Sequence, residues 1–319
     1  MTRFGLLAGL TAVALLAQET TIRTTVSLVV APTTVTDRQD KYVNDLTEND
    51  FLLYDSGKPR SINVDVTWVP ISLVIAVQSS SISAAALDKI HKIGSMIEPL
   101  IIGERGDAAV VAFDRNVRII QDFTSDPHKL SQALKKIDSG DSGSRLIDAV
   151  VKSVKMLRQR PPNRRRVILL IGETRDRSSE TRLVDAMSLA EQENVMIYPL
   201  SYSAYLTPFT ARAGTLPASG GSGGVNLLAI FTEIARMGKE NAAEAFSKYT
   251  GGRHLSFLKQ RGLEEAVTRI GEELHSQYFL SFTPPAEKKS EFHEIRVEVR
   301  GRPELAVRTR PGYWMTAPQ

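Results

Sequence analysis

The chain has no cysteine among its 319 residues. That excludes disulfides, thiol catalysis and thiolate metal sites, so an exported form must be held together by core burial. Histidine is scarce as well. His91, His128, His254, His275 and His293 show no metal-ligand spacing, and none accompanies a Gly-x-Ser-x-Gly nucleophile motif. Triads assemble in space, so spacing alone does not exclude a hydrolase. A strong excess of one charge is also missing: 40 Lys and Arg against 36 Asp and Glu leave a net charge of +4. The densest basic run, Arg164-Arg165-Arg166, stands at an expected strand entrance and reads as solvated loop, not as a nucleic-acid surface. Long apolar runs are missing too. The one candidate, residues 4–16, follows Arg3 and precedes Ala17. It is too short for a permanent span and has the shape of a secretory signal over residues 1–17, cleaved near Ala17-Gln18. An uncleaved signal anchor is the alternative, and the only membrane link expected.

What is present is an ordinary globular composition, 42% hydrophobic and 24% charged. Residues 20–69 read as β structure. They hold a β-branched run at 24–31, a turn at 36–40, a short helical turn at 46–51, and a hairpin of 51–54 with 61–68 about Ser56-Gly57. From Pro70 the rhythm becomes strand and helix in alternation. Strands are expected at 71–77, 107–113, 117–121, 167–171 and 195–200. Helices are expected at 84–100, from Asp126-Pro127 onward, at 146–158 and at 180–193. Residues 202–225 contain Gly220-Gly221-Ser222-Gly223-Gly224, but no Lys-Ser or Lys-Thr follows, so they read as a flexible insertion and not a phosphate loop. A helix at 227–249, a strand at 254–257 and a helix at 263–275 complete this part. Alternation of β type returns at 278–282, 292–300 and 305–310. The expected fold class is α/β: a doubly wound, mostly parallel sheet over 70–277, with 20–69 and 278–319 packing together as a small β module.

The most informative stretch is the apolar strand that runs into Gln78-Ser79-Ser80-Ser81-Ile82-Ser83. Open α/β sheets present ligand groups at such strand ends. Hydroxyls complete the shell of a hard cation, but carboxylates draw it out of water. Here the first residue past the apolar run is an amide.

That stretch, then Gly143-Ser144-Arg145-Leu146-Ile147-Asp148-Ala149, then Val167-Ile168-Leu169-Leu170-Ile171-Gly172-Glu173, resembles in order the von Willebrand factor type A (VWA) domain. The flanks, among them Asp45-Leu46-Thr47-Glu48-Asn49-Asp50-Phe51, Tyr54-Asp55-Ser56-Gly57-Lys58-Pro59, Thr250-Gly251-Gly252-Arg253 and Arg310-Pro311-Gly312-Tyr313, are similar to the acidobacterial VWFA-related family of exported proteins. The resemblance implies a divalent cation at the carboxyl ends of the strands. An Asp-x-Ser-x-Ser loop, a Thr and a later Asp would hold it, often with a partner's carboxylate.

This chain departs from that pattern. Gln78 falls at the first Asp, Ser80 at the first Ser, Ile82 at the second Ser, Ser144 at the Thr and Glu173 at the later Asp. Sliding the register to Ser79, Ser81 and Ser83 restores hydroxyls but no carboxylate. Asp176 is near enough in sequence to reach in. At ~4 Å and an effective dielectric of about 20, one lost unit of charge removes on the order of several kcal/mol from the hold on a divalent ion. The candidate metal ligands are therefore Ser80, Ser144 and Glu173, for weakly held Mg2+ or Mn2+ or for none. Arg145, Arg175 and Arg177 either point to solvent or place a guanidinium in the vacated position against Glu173. The candidate binding set is Gln78, Ser79, Ser80, Ser81, Ser83, Ser144, Arg145, Glu173 and Arg175. The expected function is that of an exported, periplasmic, surface or secreted protein, non-enzymatic, that binds a protein partner through an acidic side chain. A hydrolase using the same crevice and a structural envelope protein are the alternatives.

Overall fold

The computed structural model describes residues 28–65, 69–202, 236, 241–284 and 291–315. The expected signal at 1–17, the insertion beyond residue 202 and most of the expected helix at 227–249 lie outside the described residues. No helix among the described residues is long and apolar enough to cross a membrane.

Every residue of strand β5, Ile71–Gln78, is buried. The reason is its place in the sheet. It lies inside a six-stranded sheet with β6 (Asp107–Phe113), β7 (Val117–Thr124), β8 (Arg165–Gly172), β9 (Val195–Tyr202) and β10 (Leu255–Phe257), in the order β10-β9-β8-β5-β6-β7. All neighbours pair in parallel except β6 with β7. A parallel strand covered on both faces reads as a near-continuous apolar run, here with Ser72 and the terminal Gln78 as the polar members. Leu73, Ile75 and Val77 enter one core with helices α1 (Ala84–Ile90), α2 (Gly94–Ile97), α3 (Pro127–Lys135) and α7 (Gln260–His275). Val74 and Ala76 enter the other, with α4 (Leu146–Arg158), α5 (Leu183–Gln192) and α6 (Ala242–Thr250). The chain winds from β5 to β6 on one side and later to β8 on the other. The β5–β8 boundary is thus the topological switch point, where a crevice opens at the carboxyl ends.

The helix expected over 84–100 is interrupted. The chain turns between Ile90 and Gly94, and a π-helical turn spans Glu98–Ile102. Two local facts explain it. Pro99 lacks an N–H. A Cβ on Gly94 would lie 2.7 Å from the Ser131 Cα, so α2 presses against α3 where a longer residue would not fit. The apolar stripe Leu87, Ile90, Ile93 and Ile97 is buried as its spacing implies.

The flanking β segments form two antiparallel sheets. Their strands are β1 (Val29–Thr36), β2 (Phe51–Asp55), β3 (Lys58–Arg60), β4 (Asn63–Asp65), β11 (Tyr278–Phe282), β12 (Glu291–Val299), β13 (Ala306–Arg308) and β14 (Gly312–Met315). The orders are β13-β1-β11-β4 and β14-β12-β2-β3, so N-terminal strands pair with C-terminal ones. Val35, Leu53, Tyr278, Phe282 and Val297 share one core between them. Ser56 (φ 48°) and Gly57 (φ 79°) make the tight turn expected of a hairpin. Its second arm is β3, however; β4 leaves to pair with β11, and 66–68 lie outside the described residues. Likewise β1 runs on to Thr36, past the end expected at residue 31.

A polar seam joins these sheets to the parallel one. Glu273 on α7 is 1% exposed and meets Arg253 Nε at 2.9 Å and Arg308 Nη2 at 2.5 Å. Arg308 also donates to the carbonyls of Gly251 and Gly252. Gln277 Nε2 donates to the buried Tyr198 hydroxyl at 2.9 Å. Farther along, Glu191 on α5 accepts from the Trp314 backbone N–H, with Arg310 close by. The Thr250-Gly251-Gly252-Arg253 motif therefore serves the seam. Gly251 takes φ +81°, and a Cβ on Gly252 would lie 2.0 Å from the Ile197 carbonyl oxygen.

Candidate functional site

Backbone bonds stitch four loops together at the carboxyl ends of the strands. Gly140 N–H donates to the Ser79 carbonyl at 2.6 Å, Arg145 N–H to the Asp114 carbonyl at 2.9 Å, and Arg177 N–H to the Ser144 carbonyl at 3.0 Å. The loops after β5, β6 and β8 and the loop before α4 thus form one surface, as the order of motifs implies.

Gln78 sits at its centre, fully buried. Its Oε1 accepts from the Glu173 N–H at 2.7 Å. Its Nε2 donates to Ser80 Oγ at 2.9 Å and to Glu173 Oε2 at 3.4 Å. Ser80 and Ser83 are buried too, their hydroxyls 3.3 Å apart, and Ser83 Oγ donates to the Ser80 carbonyl at 2.6 Å. Ser79 turns away. Its hydroxyl meets Asp114 Oδ2 at 3.3 Å and accepts from Arg118 Nη2 at 3.1 Å. Ser81 is exposed. The slid register of Ser79, Ser81 and Ser83 therefore does not converge on one point. Ser144 is buried and its hydroxyl donates to the Arg175 carbonyl at 3.2 Å.

The arginines do not fill the vacated position. Arg145 is engaged with α4 and with the segment before α5: Nε meets Asp148 Oδ2 at 2.7 Å and Nη2 meets Glu180 at 2.9 Å. Arg177 meets Glu173 at 3.3 Å but from the solvent side, with 49% of its side chain exposed. Arg175 is exposed. None of these guanidiniums takes the inner place between Ser80 and Glu173; the Gln78 amide is there. Asp176 does not reach in. Its carboxylate accepts from the Ile147 N–H in the first turn of α4 and from the Ser179 N–H and hydroxyl, which satisfies donors that a helix start leaves without partners.

Three contributors lie outside the expected binding set. Asp114, 1% exposed, accepts from both Arg118 nitrogens and the Asn116 N–H. Burial pushes its carboxyl up, but Arg118, Asn116 and Ser79 outweigh burial and hold it below the usual range. Asp148 accepts from Arg145 and from the backbone N–H groups of Glu180 and Thr181. Burial again opposes, and these donors again prevail, so it too is held low. Tyr202 stands near Ser83 and Glu173; burial and then the Glu173 charge push its phenol up. Beside Asp114 and Arg118 opens a cleft of about 550 Å³, with Ile120, Ile137, Asp138 and Asp141 also in its walls.

The resemblance implies a divalent cation here, and the groups as arranged do not fit one. The Ser80 oxygen and one Glu173 oxygen are turned toward N–H hydrogens, and the Ser144 hydroxyl is spent on a carbonyl. Among the described residues one serine–histidine pair is close enough to consider for hydrolysis. Ser201 Oγ and His254 Nε2 lie 2.8 Å apart, but burial pushes the imidazole down to about 4, leaving a weak base near neutral pH. The described residues give His254 no carboxylate partner.

No curated protein matches the sequence. Solved structures do. BatB from Bacteroides thetaiotaomicron is 15% identical, covering 63% of this chain and 99% of that one with a TM-score of 0.44. An aerotolerance-related membrane protein from Bacteroides fragilis is 15% identical, covering 63% and 98%, with a TM-score of 0.46. Proximal thread matrix protein 1 from the mussel byssus, with a zinc-occupied metal-ion-dependent adhesion site, is 13% identical, covering 70% and 50%, with a TM-score of 0.46. Over residues 78–178, which span the loops after β5 and β6, the loop before α4 and the start of the loop after β8, the chain matches the family model of the von Willebrand factor type A domain.

Proposed function

We propose that this chain is an exported, non-enzymatic binding protein whose VWA-type domain recognises an acidic segment of a protein partner at the strand-end loops, through guanidinium groups and not through a cation. The observation that carries this reading is the state of Glu173. It is a carboxylate at the centre of the surface, and it already faces the Gln78 amide and Arg177. Little negative charge is left there to hold a cation. Arg115, Arg175 and Arg177 stand exposed on the same loops. Loops fixed on a rigid sheet suit recognition, and exposed guanidiniums suit carboxylates.

The test is binding of a series of acidic, neutral and basic peptides to immobilised protein, in EDTA and in Mg2+. Wild type is expected to retain acidic peptides equally in both buffers, less so at high salt. The Arg175→Glu, Arg177→Glu double variant is expected to lose that retention severalfold, while Arg38→Glu, on a distant turn, keeps it. Equal retention by the double variant would move the partner surface elsewhere. Retention only in Mg2+ would return the cation.

A further inference from the structure

We infer that the Gln78 carboxamide is a permanent, uncharged substitute for a bridging cation, and that it makes this face independent of divalent metal. The inference concerns how the loops are held and stands whether or not they bind acidic segments.

The orientation of the amide is fixed by its surroundings. The Glu173 N–H points at Oε1 from 2.7 Å. Turned over, the amide would set its own N–H groups against that donor, with nothing to accept. Nε2 must therefore face the other way, where two oxygens wait: Ser80 Oγ at 2.9 Å on the loop after β5, and Glu173 Oε2 at 3.4 Å on the loop after β8. One amide nitrogen carries two hydrogens, one for each loop. A cation between these oxygens would meet those hydrogens, positive against positive.

A second, independent feature matches the first. A Cβ on Gly172 would lie 2.7 Å from Gln78 Oε1 and 2.9 Å from Gln78 Cβ. The end of β8 is cut back at the place where the amide enters. Gln78 and Gly172 fit each other as a built pair, spanning the β5–β8 switch point.

The substitution Gln78→Glu probes this with almost no change of shape. One carboxylate oxygen would still accept from the Glu173 N–H. The other would face Ser80 and the Glu173 carboxylate, and two carboxylates that close do not both stay ionised without a cation between them. The same place would then need metal.

The experiment is thermal melting in EDTA and in about 1 mM Mn2+, with Mn2+ uptake followed by electron paramagnetic resonance, on wild type, Gln78→Ala and Gln78→Glu. Wild type is expected to take up no Mn2+ and to melt at one temperature in both buffers. Gln78→Ala is expected to melt lower in both. Gln78→Glu is expected to melt lower in EDTA, to recover in Mn2+, and to show bound Mn2+. Uptake by wild type overturns the inference. So does a Gln78→Ala variant that melts like wild type, or a folded Gln78→Glu variant with no response to Mn2+. If Gln78→Glu does not fold, hydrogen exchange at the Glu173 amide decides: protected in wild type and fast in Gln78→Ala, or unchanged, which overturns it.

Discussion

Gln78 and Glu273 are both almost fully buried, and each ties together segments far apart in the chain, yet one does so without charge and the other with it. Gln78 bridges loops 95 positions apart with three hydrogen bonds from a neutral amide. Glu273 joins Arg253 and Arg308 across the seam between the parallel and antiparallel sheets. The physical consequences differ. A neutral amide with its hydrogen bonds made costs less to bury than a charge, and the amide itself does not titrate. A buried carboxylate is costly to desolvate and holds only while its partners remain. At the centre of the loop face the tie is thus an amide, with ion pairs such as Asp114–Arg118 and Arg145–Asp148 around it, while at the seam the central tie is itself a buried charge.

The largest expected effect follows from the seam. Glu273→Ala would leave two guanidiniums facing a cavity. Removing one member of a buried ion pair costs about 3–5 kcal/mol, and here the lower end applies, because Arg253 and Arg308 keep 21% and 26% of their side chains exposed. Gln78→Ala is expected to cost less, about 1–3 kcal/mol for a buried donor and acceptor left without partners. Urea unfolding of the two variants side by side measures the difference. A Glu273→Ala cost below that of Gln78→Ala would break the contrast between them.

Of comparable size is a pH effect at the same seam. Burial pushes the Glu191 carboxyl from 4.5 up to about 7, against the opposing pull of Arg310 and the Trp314 N–H. The folded chain then keeps a proton that the unfolded chain has lost. Stability from this group is therefore greatest below about pH 4.5, falls as pH rises through 7, and is level above it. The shift corresponds to about 3 kcal/mol across that window. Melting of wild type and Glu191→Gln from pH 4 to 8 checks it. Wild type is expected to lose stability relative to the variant as pH rises, and parallel curves would remove Glu191 as the cause.

Much of the fold is legible in the sequence because burial on two faces leaves a continuous signature. Leu73–Val77 in β5 and Val167–Ile171 in β8 are unbroken apolar runs, and α4 shows its buried stripe through Ile147, Val150, Val154 and Leu157. The breaks after Ile90 are not legible, since they depend on Gly94 meeting Ser131 from another helix. The site is half legible. The order of the loops points to one surface, and an amide at Gln78, where the resemblance expects a carboxylate, is visible. What the amide does instead depends on a backbone N–H 95 positions away, which no spacing rule reaches. Asp176 shows the same limit from the other side. It is close in sequence to Glu173, yet its carboxylate is taken by the start of α4. The Thr250-Gly251-Gly252-Arg253 motif is recognisable, but its part in the seam appears only when Arg308 arrives against it.

The smallest expected effect decides which group holds Glu173. Two candidates touch it, the buried Gln78 amide and the half-exposed Arg177 guanidinium. An ion pair with 49% of its arginine in water, at 3.3 Å, is screened and gives up side-chain entropy to form. Arg177→Ala should therefore cost less than about 1 kcal/mol and leave exchange at the Glu173 amide as slow as in wild type. Arg145→Ala should cost more, because Arg145 is 25% exposed and closes on Asp148, whose carboxylate also holds the Glu180 and Thr181 N–H groups. If Arg177→Ala instead matches Gln78→Ala in cost and frees the Glu173 amide, the guanidinium holds that carboxylate. Both regions would then be ionic in character, and the difference between them would reduce to one of exposure.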